Sequence, residues 1–128
     1  MKKRRVLIVD DDIPLTQAMK INLEDTGDYE VMVENDSTHA IEVARQFQPE
    51  LVLLDIVMPD LDGGDVSARF KSDPALSRVP ILMITALVSN DEVGADAVVS
   101  SGEDLMVAKP IQFEKLRQIM EEQLAKVA

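Results

Sequence analysis

The sequence feature that most constrains the fold is the apolar run Leu51-Val52-Leu53-Leu54, which leads directly into Asp55. Four consecutive apolar residues between a proline and a Pro/Asp/Gly-rich loop are typical of a strand buried on both faces of a parallel sheet. A carboxylate is costly to bury without a partner, so we expect Asp55 to emerge at the carboxyl end of this strand, where open α/β sheets bind ligands. Taken alone, Asp55 could equally be a surface residue in a turn.

Short apolar runs alternate with helical patterns along the whole chain. This alternation predicts an α/β fold with a doubly wound, five-stranded parallel sheet and five helices. The first helix is expected to begin at the N-cap Asp12, to end at Gly27, and to turn four side chains inward, namely Leu15, Ala18, Met19 and Leu23. A weak fourth helix is expected after Ser89. The predicted strands are residues 6–9, 29–33, 51–54, 81–84 and 105–108.

The composition limits the possible functions. The chain has 128 residues, enough for one domain with its own core, and it has no cysteine for redox chemistry or thiolate ligation. Acidic residues outnumber basic ones by 24 to 13, and the net charge of -11 argues against general affinity for nucleic acid or anionic membranes. No apolar stretch approaches the roughly 20 residues that span a bilayer. We therefore expect a soluble, cytoplasmic protein whose partners are proteins or metal cations.

Polar residues follow four of the predicted strands. An aspartate triplet, Asp10 to Asp12, follows the first strand, Asp55 the third, Thr85 the fourth and Lys109 the fifth. Because the carboxyl ends of parallel strands meet at one edge of the sheet, these groups are expected to converge. Each alone has an ordinary explanation as a turn, a cap or a surface side chain, but their joint occurrence favours a functional site.

The chemistry that suits this set of residues is phosphoryl transfer. Several carboxylates form a hard oxygen site for Mg²⁺, and an aspartate beside that ion can accept a phosphoryl group as an aspartyl phosphate. The transferring group is anionic and needs compensating charge and hydrogen-bond donors, which Lys109 and Thr85 could supply. The single histidine, His39, lies near the start of the predicted second helix and is interpreted as a surface residue.

The chain resembles the receiver domains of two-component response regulators over nearly its whole length. The resemblance implies a flavodoxin-like fold with strand order 2-1-3-4-5, and a single receiver domain over residues 1–128. The motifs that carry it are weak singly but highly specific in this order and spacing: Val6-Leu7-Ile8-Val9-Asp10-Asp11-Asp12, Leu53-Leu54-Asp55-Ile56-Val57-Met58-Pro59 with Asp62-Gly63, Ile84-Thr85-Ala86, and Lys109-Pro110.

The resemblance also implies a role for each matching residue. Asp55 would be the phosphoacceptor, and Asp11 and Asp55 would ligate Mg²⁺ together with the Val57 carbonyl. Asp10 would act on the ion mainly through water, whereas Asp12 falls outside the acidic pair and is interpreted as the helix cap. Two further residues would contact the phosphoryl group: Thr85 as the switch hydroxyl and Lys109 as the pairing cation.

The expected partners follow from the same resemblance. A histidine kinase or histidine phosphotransfer protein would supply the phosphoryl group, and the chain would signal to a downstream protein partner as a monomer or weak homodimer. It would not turn over a separate substrate as an enzyme does. Because no effector domain follows the last predicted helix, a stand-alone protein without direct contact to nucleic acid or membrane is expected.

Two features depart from the family pattern. Met106 occupies a position that is usually aromatic, and the stretch between Thr85 and Lys109 is a residue or two longer than usual. These departures favour one alternative, a phosphorylation-independent interaction module. Another alternative is a haloacid-dehalogenase-type phosphatase with Asp10 as nucleophile, but that reading leaves Asp55 unexplained and lacks a cap domain.

Overall fold

The computed structural model describes residues 3–55, 58, 63–85, 98–101, 104–108 and 113–125. The described residues form six strands and four α-helices. The strands are β1 (Arg4–Val9), β2 (Tyr29–Glu34), β3 (Leu51–Asp55), β4 (Ile81–Thr85), β5 (Val98–Ser101) and β6 (Asp104–Ala108). The helices are α1 (Ile13–Asp25), α2 (Ala40–Phe47) with a 3-10 turn before it (Ser37–His39), α3 (Gly63–Ser72) and α4 (Phe113–Ala125).

The strands form one sheet in the order β2-β1-β3-β4-β6-β5. The neighbours β1 and β2, β1 and β3, β3 and β4, and β4 and β6 are all parallel. The first four strands therefore lie in the predicted order 2-1-3-4. The expectation of a five-stranded, wholly parallel sheet is wrong, because β5 pairs antiparallel with β6 at the sheet edge. The predicted fourth helix lies outside the described residues.

The sheet carries a separate apolar layer on each face, as a doubly wound fold requires. Along β1 and β3, successive side chains enter opposite layers, so both strands read as unbroken apolar runs. One layer contains Val6, Ile8, Leu51 and Leu53 with the α1 and α4 side chains Leu23, Leu116, Met120 and Leu124. The other contains Leu7, Val9, Val52 and Leu54 with the α2 and α3 side chains Ala40, Ala44, Val66 and Phe70.

Helix α1 begins where the sequence predicts. The side chain of Asp12 accepts a hydrogen bond of 3.1 Å from the backbone N–H of Leu15, so Asp12 is the N-cap. The chain turns after the helix at Gly27, whose φ of 82° is readily adopted only by glycine. The first helix therefore starts directly beside the aspartates that follow β1.

The inner face of α1 differs from the prediction at two positions. Ala18 is exposed, whereas Thr16 is fully buried. Burial of Thr16 is possible because its hydroxyl donates a hydrogen bond of 3.0 Å to the carbonyl of Ile13.

Among the described residues, no helix combines the length and apolar character needed to cross a membrane.

Candidate metal centre

Three carboxylates converge at the carboxyl ends of β1 and β3. These strands are adjacent and parallel, and their register pairs Val9 with Leu54, so the residues that come next, Asp10 and Asp55, are neighbours. Oxygen atoms of Asp10, Asp11 and Asp55 all lie within 4.8 Å of one another. Asp10 and Asp55 are only 4% and 7% exposed, whereas Asp11 is exposed. The cluster therefore has a buried floor and one side open to solvent.

The backbone around Asp10 fixes the start of the loop that joins β1 to α1. The Asp10 N–H donates a hydrogen bond of 3.2 Å to the carbonyl of Glu34, which continues the pairing of β1 with β2. One carboxylate oxygen of Asp10, Oδ1, accepts a hydrogen bond of 2.9 Å from the N–H of Asp12. The side chain of Asp10 is thus oriented by its own loop.

Asn35 joins this loop to the end of β2. Its Nδ2 donates hydrogen bonds of 2.8 Å to the carbonyl of Asp10 and 3.0 Å to the hydroxyl of Thr16. Asn35 is not among the site residues predicted from the sequence. The available signal was its position: Asn35 comes two residues after the predicted second strand, whose carboxyl end lies at the same edge of the sheet as Asp10 and Asp55.

Of the other predicted site residues, the described part of the structure includes only the backbone of Thr85. Thr85 is the last residue of β4, whose register with β3 pairs Asp55 with Ile84, so the backbone of Thr85 lies at the edge where Asp55 ends its strand. The side chain of Thr85 lies outside the described part of the structure. Val57 and Lys109 also lie outside the described residues, so their predicted roles stay predictions.

The donor set of the cluster fits a small divalent cation. Octahedral Mg²⁺ holds oxygen ligands at 2.0–2.1 Å, so two ligands on opposite sides of the ion are separated by about 4.2 Å. Oxygens within 4.8 Å of one another are close enough for the cluster to contract around such an ion. Mg²⁺ usually keeps several waters beside one or two carboxylates, and the open side at Asp11 gives room for them.

His39 lies on the surface, as predicted. Its side chain is 61% exposed, and its Nδ1 lies 3.7 Å from Oδ2 of Asp36. The imidazole therefore has a local partner at the start of α2, and nothing in its environment indicates acid-base chemistry.

Comparison with known proteins identifies the family. Residues 6–121 match the response regulator receiver domain family. The transcriptional regulator RpaA of Synechocystis is 36% identical over 114 residues, 88% of this chain and 45% of RpaA. The response regulator MtrA of Mycobacterium tuberculosis is 36% identical over 89% of this chain and 47% of MtrA. The chain spans about half the length of these curated relatives.

A solved structure agrees with this match. The chemotaxis protein CheY4 of Vibrio cholerae superposes with a TM-score of 0.79 at 27% identity, covering 94% of this chain and 98% of that one. This agreement extends over nearly the whole chain and confirms the flavodoxin-like receiver fold.

The relatives correct one prediction. RpaA and MtrA are both named DNA-binding proteins, which contradicts the expectation of no direct contact with nucleic acid. That expectation relied on the net charge of -11, but this charge describes a segment that matches only about half of such a regulator. An acidic receiver segment therefore does not exclude DNA binding by the protein that contains it. The match over residues 6–121 shows that this chain belongs to the response regulator receiver domain family of two-component signalling.

Proposed function

We propose that this chain is a phosphoacceptor that takes a phosphoryl group onto Asp55 from the histidine of a histidine kinase or histidine phosphotransfer protein. The observation that supports this most directly is the placement of Asp55. Asp55 is the last residue of the buried strand β3, and a carboxylate oxygen of Asp55 lies within 4.8 Å of carboxylate oxygens of Asp10 and Asp11. At 7% exposure it is held in place by its surroundings rather than free to move in solvent.

The proposed transfer is a displacement at phosphorus. An oxygen of Asp55 forms the new O–P bond while the N–P bond to the donor histidine breaks, and the imidazole nitrogen keeps the electron pair and takes up a proton. The main obstacle is charge, because an anionic phosphoryl group approaches a cluster of three carboxylates. We assign the compensating donors to the Thr85 hydroxyl and the Lys109 ammonium, from their places after the fourth and fifth predicted strands.

Mg²⁺ is the cofactor that the cluster fits. Asp11, Asp55 and the Val57 carbonyl would hold the ion directly, and Asp10 would act mainly through water. When bound, Mg²⁺ supplies positive charge that offsets the carboxylates and the phosphoryl oxygens. The protein's own contribution is to hold Asp55 and its acidic neighbours in one geometry before the donor arrives.

The biological setting follows from the family. We propose that residues 1–128 form a single receiver domain, that it works in the cytoplasm, and that it has no separate substrate to turn over. The names of RpaA and MtrA favour an output in gene regulation, in which phosphorylation of the receiver controls binding to DNA.

Intact-mass spectrometry after incubation with acetyl phosphate tests the proposal. We expect one phosphoryl adduct on the wild type that requires Mg²⁺ and is lost in Asp55→Asn. Asp25→Asn is the matched control, because Asp25 is an exposed aspartate at the end of α1. Absence of the adduct in a wild type that binds Mg²⁺ would contradict the proposal and favour the phosphorylation-independent interaction module.

A further inference from the structure

We infer that Asn35 is a positioning residue that sets the affinity of the acidic cluster for its divalent cation. This inference rests on the proposed function and adds to it a residue outside the acidic cluster. Nδ2 of Asn35 lies 2.8 Å from the carbonyl oxygen of Asp10 and 3.0 Å from Oγ1 of Thr16. Asn35 therefore holds both ends of the short segment that carries Asp11.

The two hydrogen bonds that Asn35 makes to Asp10 and Thr16 form a clamp, and each of them can have only one direction. A backbone carbonyl only accepts, so the atom that faces Asp10 must be the amide nitrogen of Asn35. The Thr16 hydroxyl donates its proton to the carbonyl of Ile13, at 3.0 Å, and so accepts from Asn35. Both amide protons of Asn35 are used, and among neutral side chains only the amides of Asn and Gln supply two donors from one atom.

The clamp acts on Asp11 through the backbone. The carbonyl of Asp10 belongs to the peptide group whose nitrogen is that of Asp11, and a peptide group is planar. A hydrogen bond that fixes this carbonyl also fixes the direction in which the chain enters Asp11. Since Asp11 is exposed, packing contributes little to its position, and the clamp gains importance.

Charge makes the clamp necessary. Asp10, Asp11 and Asp55 bring three carboxylates within 4.8 Å, and like charges at this distance repel one another. Without a cation, this repulsion pushes the loop away from β3. Asn35 opposes that movement without adding charge, and the register of β2 with β1, which pairs Glu34 with Val9, brings Asn35 beside Asp10.

Calorimetric titration with Mg²⁺ tests the inference on the whole chain after removal of metal with a chelator. Groups that orient metal ligands from outside the coordination shell typically change affinity by 10–100-fold, so we expect Asn35→Ala to weaken Mg²⁺ binding by roughly 10-fold. Thr16→Val, which removes one acceptor and keeps the side-chain shape, should give a smaller loss in the same direction. Asn22→Ala, on the exposed face of α1, is the matched control and should bind as the wild type does.

A second readout separates positioning from general destabilisation. At saturating Mg²⁺, the rate of phosphorylation of Asn35→Ala by acetyl phosphate should return to the wild-type value, because only the Mg²⁺ concentration for half-maximal rate has changed. In the metal-free variant, the amide of Asp12, which donates to Asp10, should exchange its hydrogen faster than in the wild type.

The outcomes distinguish this inference from the proposed function. A wild type that binds Mg²⁺, with equal affinity in Asn35→Ala, would overturn the inference and leave the function intact. A wild type that binds no Mg²⁺ would overturn both. If urea titrations show that Asn35→Ala is not folded, the Mg²⁺ affinity of Thr16→Val tests the inference instead. An affinity equal to that of the wild type would then overturn it.

Discussion

The hydroxyl of Tyr29, at the start of β2, donates a hydrogen bond to Oε1 of Glu121 on α4. One turn earlier on α4, Nη2 of Arg117 lies 2.7 Å from Oδ2 of Asp28. Two adjacent contacts thus tie the amino end of β2 to the C-terminal helix. Because the strands β1, β2 and β3 are parallel, this junction lies at the edge of the sheet opposite to the acidic cluster.

The first prediction concerns alkaline pH and Tyr29→Phe. The pKa of Tyr29 is raised to about 12 from its ordinary 10.0. Burial is the largest cause, followed by the hydrogen bond to Glu121 and the negative charge of Glu121. The folded state therefore favours the protonated phenol, whose stabilising effect is complete below about pH 10 and is lost as the pH rises toward about 12. We expect Tyr29→Phe to lower the free energy of unfolding by about 1 kcal/mol near neutral pH, and this difference to shrink above about pH 10.

Urea unfolding of wild type and Tyr29→Phe at a series of pH values measures this difference. Tyr29 is the single tyrosine of the chain, so its ionisation can also be followed directly by ultraviolet absorbance. A phenol that titrates near its ordinary value, with a stability difference independent of pH, would contradict the prediction.

The second prediction separates the roles of adjacent aspartates. Asp12 caps α1 through the N–H of Leu15, so Asp12→Ala should cost about 1 kcal/mol of stability. Its backbone N–H still donates to Asp10, and the affinity for Mg²⁺ should therefore stay close to that of the wild type. Thermal unfolding with a chelator and Mg²⁺ titration check the two parts. A large loss of Mg²⁺ affinity in Asp12→Ala would show that Asp12 belongs to the metal site.

The third prediction is a reversal of stability in Asp11→Asn. Without metal, removal of one of three clustered carboxylates relieves repulsion, so the variant should be more stable than the wild type. With Mg²⁺ at ten times the wild-type dissociation constant, the wild type should gain about 1.4 kcal/mol and the variant much less. Urea unfolding with chelator and with Mg²⁺ measures both differences. Equal responses of the two proteins to Mg²⁺ would exclude Asp11 as a ligand.

The parts of this molecule that the sequence predicts well are those determined by local apolar pattern. The run from Leu51 to Leu54 must be buried on both faces, and this alone places it inside the sheet between two apolar layers. The convergence of Asp10 with Asp55 then follows from topology, because adjacent parallel strands end at the same edge. Neither step requires knowledge of individual side-chain contacts.

The parts that were missed depend on specific polar partners. Thr16 can be buried because its hydroxyl has partners in Ile13 and Asn35, which an apolar period does not reveal. Asn35 reads in the sequence as an ordinary turn residue, and only the register of β2 against β1 shows what its amide reaches. Strand β5 has two apolar residues followed by two serines, too short a run to predict a strand without its partner β6.

The last prediction concerns acid pH and the turn after α3. Oδ1 of Asp73 accepts a hydrogen bond of 2.9 Å from the N–H of Ala75, and Oδ2 accepts one of 2.7 Å from Nε of Arg45. The bond from Ala75, and after it the bond from Arg45, lowers the pKa of Asp73. The folded state thus favours the charged carboxylate, whose stabilising effect is present above the unfolded pKa of about 4 and is lost as the pH falls through the folded pKa.

Asp73→Asn should therefore be less stable than the wild type at neutral pH, and the two proteins should converge in stability below about pH 4. Arg45→Gln should raise the pKa of Asp73 only part of the way to its ordinary value. The Arg45 side chain is 62% exposed and screened by solvent, whereas the backbone donor of Ala75 stays in place. Carbon-13 NMR of the aspartate carboxyls across acid pH measures this pKa in both proteins. Full return to the ordinary value in Arg45→Gln would mean that the ion pair, and not the backbone of the turn, holds Asp73 in its charged form.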